Sequence, residues 1–342
     1  MQQIKMMQFD RILLDHGSGG SAAHRLITDL LLPAFDNPIL SRLNDGAILD
    51  VENGRLAFST DTFVVDPLFF PGGNIGDLAV NGTVNDLAMC GARPRYLSVG
   101  LIIEEGFAIA DFKRVLNSMR QAAARAEVRV VTGDTKVVPK GAADKIFINT
   151  SGIGTIAAGV EIAGDRARPG DAVVLSGTMA DHGIAVLTQR EGMVFDTPVT
   201  SDTAPLNHMV QRMLAASGGI HALRDPTRGG VGTTLNEIAG QSGVGIRIHE
   251  AHLPIRREVA AVCELLGFDP LYVANEGKLL AFVAPGEVDT VLAALRQDPA
   301  GRDACVVGEV TAEHPARVVL RTRIGGTRIV DMLSGEQLPR IC

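Results

Sequence analysis

The chain has 342 residues, 46% hydrophobic and 21% charged, with a net charge of −7 and a pI near 5.6. That length exceeds one ordinary core and predicts two globular domains, while the acidic balance argues against a nucleic-acid scaffold. No apolar run approaches the ~20 residues of a membrane span, and the start "MQQIKMMQFDRILLDHGSGG" has neither a long apolar stretch nor a small-residue cleavage site, so a cytoplasmic protein with reduced thiols is expected.

Residues 1–40 read as an N-terminal Gly-rich segment, in which "DHGSGG" opens a helix at "SAAHRLITDLLLP". A first domain is predicted over 41–163. "RLAFSTDTFVVDPLFF" mixes β-branched and aromatic residues as a strand does. In "GGNIGDLAVNGTVNDLAMCGA", Leu78, Asn81, Asn85 and Ala88 recur at helical spacing up to a stop at Gly91. "RPRYLSVGLIIEE" predicts a strand. "IADFKRVLNSMRQAAARAEV" predicts a helix striped by Phe112, Val115, Leu116 and Met119. "VRVVTGDTKVV" and "KIFINTSGIGTIAAG" predict two more strands. Near Gly164 a Gly- and Pro-punctuated turn enters a new strand, Ala172 to Leu175, and a second domain is predicted over 164–316. It alternates helices ("MADHGIAVLTQR", "PLNHMVQRMLAAS", "GGVGTTLNEIAGQSG", "REVAAVCELLG", "EVDTVLAALRQ") with strands ("GIRIHE", "LLAFVAP", "ACVVGEVT"). Residues 317–342 read as a hairpin around Gly325-Gly326 and a mobile tail, with nothing able to pack after Asp331.

Four cysteines occur, none in a C-x-x-C pair, and the last is the final residue, Cys342. A terminal thiol is expected to be exposed and reactive, a liability unless used. The backbone amides of Gly17, Ser18, Gly19 and Gly20 suit either a phosphate cradle or a plain turn. Asp45, Asp61, Asp66, Asp86, Asp134 and Asp225 all lie at strand ends or in loops beside glycine. Each alone fits a cap or a solvated surface, whereas the set in an acidic chain points to oxygen ligands for Mg²⁺ carrying a nucleotide. Asn81 and Asn85 share a helix face although Asn disfavours helix interiors. Lys136 follows a Gly-Asp turn and suits a phosphate. Glu276 and Lys278 flank Gly277 as an acid-base pair or a charged turn. Of eight histidines only His16 and His182 lie beside glycines in expected loops, and no histidine metal site is assigned.

Taken in order, "DHGSGG", "STDTFVVDPLFFPGGNIG", "NGTVNDLAMCGA", "TGDTKVV", "DPTRGG", "ANEGK" and the terminal "PRIC" resemble the HypE family of hydrogenase maturation proteins over essentially the whole chain. One departure is Pro226, where Ala is expected; it leaves Asp225 and Arg228 in place. The resemblance implies a two-domain α+β fold like that of AIR synthetase (PurM-like), with a flexible C-terminal tail, and a homodimer whose nucleotide site lies near the subunit interface. It also implies that a carbamoyltransferase, HypF, loads Cys342, that ATP drives dehydration of the carbamoyl group to a thiocyanate, and that the cyano group passes to [NiFe] hydrogenase iron held by HypC and HypD. The resemblance makes Asp45, Asp86 and Asp225 the Mg²⁺ ligands. The nucleotide is expected against Gly17, Ser18, Gly19, Gly20, Asp66, Asn81, Asn85 and Asp134. Lys136 would meet the phosphates, and Glu276 would be the base. The alternatives are an AIR-synthetase-like or selenophosphate-synthetase-like enzyme acting on a free small molecule, and a non-catalytic scaffold. The selenium enzymes would carry a catalytic Cys or selenocysteine in the N-terminal loop, which here reads "HGSGG".

Overall fold

The computed structural model describes residues 12–17, 19–35, 37–52, 54–193, 199–335 and 338–342. The Gly-rich loop leads into α1 (Ser21–Leu26), which runs through a π turn (Ile27–Leu31) into α2 (Leu32–Phe35). Strands β1 (Ala47–Val51) and β2 (Gly54–Phe63) pair antiparallel. A small hairpin, β3 (Phe69–Phe70) and β4 (Gly73–Asn74), precedes α3 (Ile75–Met89). A capping box starts α3: the Asn74 side chain accepts from the Gly76 amide at 2.8 Å, and Asp77 accepts from the Asn74 amide at 3.1 Å. Gly91, at φ 74°, supplies the left-handed residue that stops it. Then follow β5 (Ala92–Glu104), α4 (Ile109–Arg125), β6 (Arg129–Val138) and β7 (Ile146–Ile156). The five strands form one sheet in the order β1-β2-β7-β5-β6, with α4 crossing over between the parallel pair β5 and β6.

The second half comprises β8 (Ala172–Leu175), α5 (Asp181–Arg190), α6 (Asn207–Ala216), β9 (Ile220–Arg224), α7 (Gly230–Ser242), β10 (Gly245–His249), α8 (Arg257–Leu266), β11 (Leu280–Val283), α9 (Val288–Leu295), β12 (Cys305–Thr311), β13 (Arg317–Arg321) and β14 (Thr327–Val330). Its seven-stranded sheet runs β14-β13-β10-β12-β8-β11-β9. The sequence misses β1 and β9, both of five residues. His182 sits in the first turn of α5, not in the loop expected for it.

Helix α3 is buried all round, with only Asp77 and Asp86 outside its buried set, because it lies between the halves. Its N-terminal part belongs to the first core with Phe63, Val115 and Ile148; Ala88 and Met89 belong to a second core with Leu206, Met209 and Leu279. Asn85 fastens the join. Its amide nitrogen donates to the carbonyls of Ala204 and Glu276, both at 3.1 Å, and its oxygen accepts from the Leu206 amide at 2.8 Å.

Beyond Asp331 the structure corrects the expectation that nothing packs. Leu333, Ile341 and Cys342 are buried, and the last two join the core of the first domain. The Val64 amide donates to the Cys342 carbonyl oxygen at 2.9 Å, and the Asp66 amide to the Arg340 carbonyl at 3.1 Å, so the tail lies alongside residues 64–66. The apolar residues of the tail are too sparse to form a periodic pattern; they fill pockets made by segments remote in sequence.

Candidate active site

A group of carboxyls gathers where the two halves meet. Asp86, near the end of α3, accepts from the Ser59 hydroxyl at 2.7 Å, and that hydroxyl also lies 3.0 Å from the Asp45 carbonyl. Asp45 pairs with Arg224 at 2.9 Å, and Arg224 also pairs with Glu237 at 2.8 Å. Burial opposes the charge of Arg224, but Asp45 and Glu237 outweigh it and hold its pKa above the ordinary value. One residue on, burial pushes the Asp225 carboxyl up to about 6, against the pull of Arg224. Asp45 is raised well above the usual range by burial, with Asp225 and Glu237 adding to it. Burial, then Asp225, Asp61 and Asp45, do the same to Asp86. Asp61 is raised by burial while Arg228 pulls it down. These groups feel one another as a single site with more carboxyls than arginines. Its donors are all carboxylate oxygens, which suits a hard divalent cation. Among the described residues no three His, Cys, Asp or Glu side chains already stand in a coordinating arrangement.

The tail brings its thiol to this site. The Cys342 thiol is pushed up to about 12, first by burial and then by Glu276 and Asp61, with Arg228 acting in the opposite sense. The guanidinium of Arg228 is raised chiefly by Cys342, against burial, with Asp61, Glu276 and Asp86 adding. Glu276 is 3% exposed, and its Oε1 is buried without a hydrogen-bond partner. Burial, then Asp61, Asp225 and Asp202, raise its carboxyl well above the usual range. A thiol, a guanidinium and a carboxyl of raised pKa thus share one enclosure beside the aspartates. That set can carry a group on sulfur, offset negative charge and take up a proton.

The structure brings Asp45, Asp86, Asp225, Glu276 and Cys342 together and leaves other expected residues apart. Lys136 and Asp134 pair with each other at 2.9 Å on the edge strand β6, each side chain 71% exposed. Asp66 pairs with Lys145 at 2.8 Å and supports the tail through its backbone. Asn85 is occupied in joining the two halves. Asn81 donates to Thr203 at 3.1 Å, and its oxygen is buried without a partner. Ser18 lies outside the described residues. Gly17 ends a 3-10 turn (Leu14–Gly17). Gly19, at φ 78°, lies so close to the Arg228 backbone that a Cβ would stand 2.8 Å from its carbonyl oxygen. The Ser21 amide donates to the Leu333 carbonyl at 2.8 Å, so the Gly-rich loop is packed between the Arg228 loop and the tail segment. Sequence reasoning leaves out Ser59, Asp202 and Arg224, considers Asp61 without assigning it, and notes Arg228 only as retained. The signal was the "LRDPTRGG" segment, where two arginines bracket Asp225 beside a Gly pair.

Known proteins resemble this chain over nearly its whole length. Residues 43–156 match the AIR synthase related protein N-terminal domain, and residues 168–321 its C-terminal domain. Carbamoyl dehydratase HypE of Cupriavidus necator is 55% identical over 97% of this chain and 95% of its own length. A crystal structure of hydrogenase maturation protein HypE in complex with ATP superposes with a TM-score of 0.82 at 54% identity, over 97% of this chain and 100% of that one. A HypE–HypF complex gives a TM-score of 0.86 at 46% identity, over 90% of this chain and 99% of that one.

Proposed function

The chain belongs to the HypE carbamoyl dehydratase family of AIR-synthase-related proteins, and from that premise we propose that it uses ATP to dehydrate a carbamoyl group on Cys342 to a thiocyanate. The observation that carries this reading is the Cys342 thiol, buried in the first core and within electrostatic reach of Arg228, Glu276 and Asp61. A free small substrate would leave that burial without a purpose.

Hydroxide leaves poorly from a carbamoyl carbon. Transfer of the γ-phosphoryl of ATP to the carbamoyl oxygen makes that oxygen part of a phosphate, and one N–H proton is lost as the C=N bond forms. Loss of the second N–H proton and cleavage of the C–O bond then give S–C≡N and inorganic phosphate, with ADP as the other product. Glu276 is assigned to take a nitrogen proton, and Arg228 to offset charge at the group on sulfur. Asp45, Asp86 and Asp225 would hold Mg²⁺, which supplies charge neutralisation at the phosphates when bound. The Gly-rich loop, with Asp66, Asn81 and Asp134, is assigned to nucleotide contacts, whereas Asn85 is spent on joining the halves. Lys136 is assigned to the phosphates, a role that requires its exposed face to be covered.

A second copy of the chain would cover that face. Phe58, Ile153 and Tyr96 are paired in register across β2, β7 and β5 and are each more than 40% exposed. Ile102, in register with Lys136 and on the same face as Tyr96, is also exposed, and such an apolar face is unusual for a monomer. Sedimentation should show twice the chain mass of 36.1 kDa, and Ile153→Asp should halve it. A wild-type monomer at micromolar concentration would overturn the dimer.

In this reading residues 41–163 carry the nucleotide and the subunit contact, 164–316 carry Asp225 and Glu276, and 317–342 carry the hairpin and the substrate. Seated, the thiol is buried in the first core and the tail is bonded to residues 64–66, so loading by HypF in the cytoplasm requires the tail to leave that seat. The cyano group passes onward to iron held by HypC and HypD. The test is intact-mass analysis after incubation with HypF, carbamoyl phosphate and ATP: Cys342 should gain a carbamoyl group and then lose one water. ATP turnover that ignores the state of Cys342 would sink the reading.

Asp86→Asn and Asp225→Asn should each weaken ATP binding roughly tenfold or more, with partial recovery at raised Mg²⁺, because each removes an anionic ligand and keeps the shape. Titration calorimetry that finds unchanged affinity in both variants would move the metal elsewhere.

A further inference from the structure

The mechanism uses what Cys342 touches but leaves unassigned what holds the tail at that depth. His182 is fully buried at the start of α5, with Phe70 edge-on to its ring at 5.4 Å. Its Nε2 lies 2.8 Å from the Ile341 carbonyl, which can only accept, so Nε2 carries the proton and donates. Its Nδ1, 2.8 Å from the Ser201 hydroxyl, then accepts. At the other end of the same helix, Arg190 donates from Nε to the Asp66 carbonyl at 2.8 Å and from Nη2 to the Arg340 carbonyl at 2.9 Å. Helix α5 therefore presents two side chains, at its two ends, to consecutive carbonyls of the tail.

We propose that His182 and Arg190 are positioning residues for the reacting thiol, gripping the main-chain carbonyls of Ile341 and Arg340 and so fixing how deep Cys342 enters the site. Because the grip is on main chain, it acts whatever group the sulfur carries. Side-chain recognition is separate: the Arg340 guanidinium pairs with Asp144 and donates to the Val64 carbonyl at 2.8 Å, and Ile341 fills the core. Neither His182 nor Arg190 has been given a part in the chemistry. The inference rests on the carrier reading of Cys342, but its test needs neither ATP nor a carbamoyl group.

The test is the rate at which iodoacetamide alkylates Cys342 in the full chain, read by peptide mass spectrometry. Cys90 and Cys263, both buried, serve as internal controls for unfolding. Loss of the charge-assisted bonds in Arg190→Ala should speed Cys342 labelling about tenfold or more, with both controls unchanged. His182→Phe fills the space without a donor and should do the same. His182→Gln, which restores a donor near the Nε2 position, should label close to wild type. The proposal is overturned if Arg190→Ala and His182→Phe stay within twofold of wild type, or if the Gln and Phe variants label alike. Should His182→Phe expose the controls, Arg190→Ala at the rim decides by itself. A Cys342 that accepts no carbamoyl group would sink the carrier reading while leaving this labelling contrast standing, so the two failures are separable.

Discussion

Glu276→Gln should accept the carbamoyl group on Cys342 and bind ATP, yet stall before thiocyanate. The substitution keeps volume and hydrogen-bonding capacity and removes only the basic carboxylate. Glu276 is nearly fully buried, with one oxygen unpartnered, and burial, Asp61, Asp225 and Asp202 all raise its pKa. A carboxyl held that high is a stronger base once it has given up its proton, which suits removal of a proton from nitrogen. A neutral amide relieves the repulsion from three neighbouring carboxylates, so folding should not suffer. The rate of water loss from the carbamoyl adduct should fall on the order of a hundred- to ten-thousandfold. The tail mass would then remain at the adduct. Dehydration at a near-normal rate would reduce Glu276 to ordering a turn beside Lys278 and send the search for the base to Asp45, Asp134 and Lys136.

Cys342→Ala should abolish carbamoyl uptake and all downstream turnover while leaving a folded protein. The sequence alone predicts no stability cost, since no core pattern reaches the tail. The structure adds a modest one: the thiol is buried in the first core, and removing one buried sulfur atom costs about 1 kcal/mol. For domains of this size that lowers Tm by about 2–4 °C. ATP binding should persist, because the aspartates are untouched. Two results would count against the carrier role: carbamoyl uptake by the Ala variant, or a collapse in Tm that makes the tail a structural strut.

Much of the frame is legible in the sequence because its elements are long and punctuated. Helix α3 carries its own start and stop signals, and β5 spans 13 residues. Strands β1 and β9 are five residues each, framed by turn residues, and their pairing depends on strands elsewhere in the sheet. The site divides on similar lines. Lys136 and Glu276 look alike locally, each within three residues of a glycine that reads as a turn. What separates them is topology: Lys136 falls on an edge strand, whereas Glu276 falls where the halves close together. Asn85 was conspicuous as an Asn inside a helix, and its polarity serves the join. Arg224 and Arg228 become legible only through the acids they serve: a buried acidic cluster requires cations, and both flank Asp225 in the sequence. The docking of the tail is the least legible feature. Its contacts run from Arg340 to Val64, and no local pattern reports a fit over that separation.

The bonds from Asn85 to Ala204, Leu206 and Glu276 weld one helix to both halves, so the cleft cannot gape without breaking them. A site built that way has no jaw to close on a diffusing molecule. In the proposed reading the moving part is the tethered substrate itself, and tethering changes the kinetics. The local concentration of the reacting group is set by the length and stiffness of the arm, not by cellular supply. Once loaded, each molecule should convert its cargo as a first-order event, with a half-life indifferent to dilution and saturable only in nucleotide.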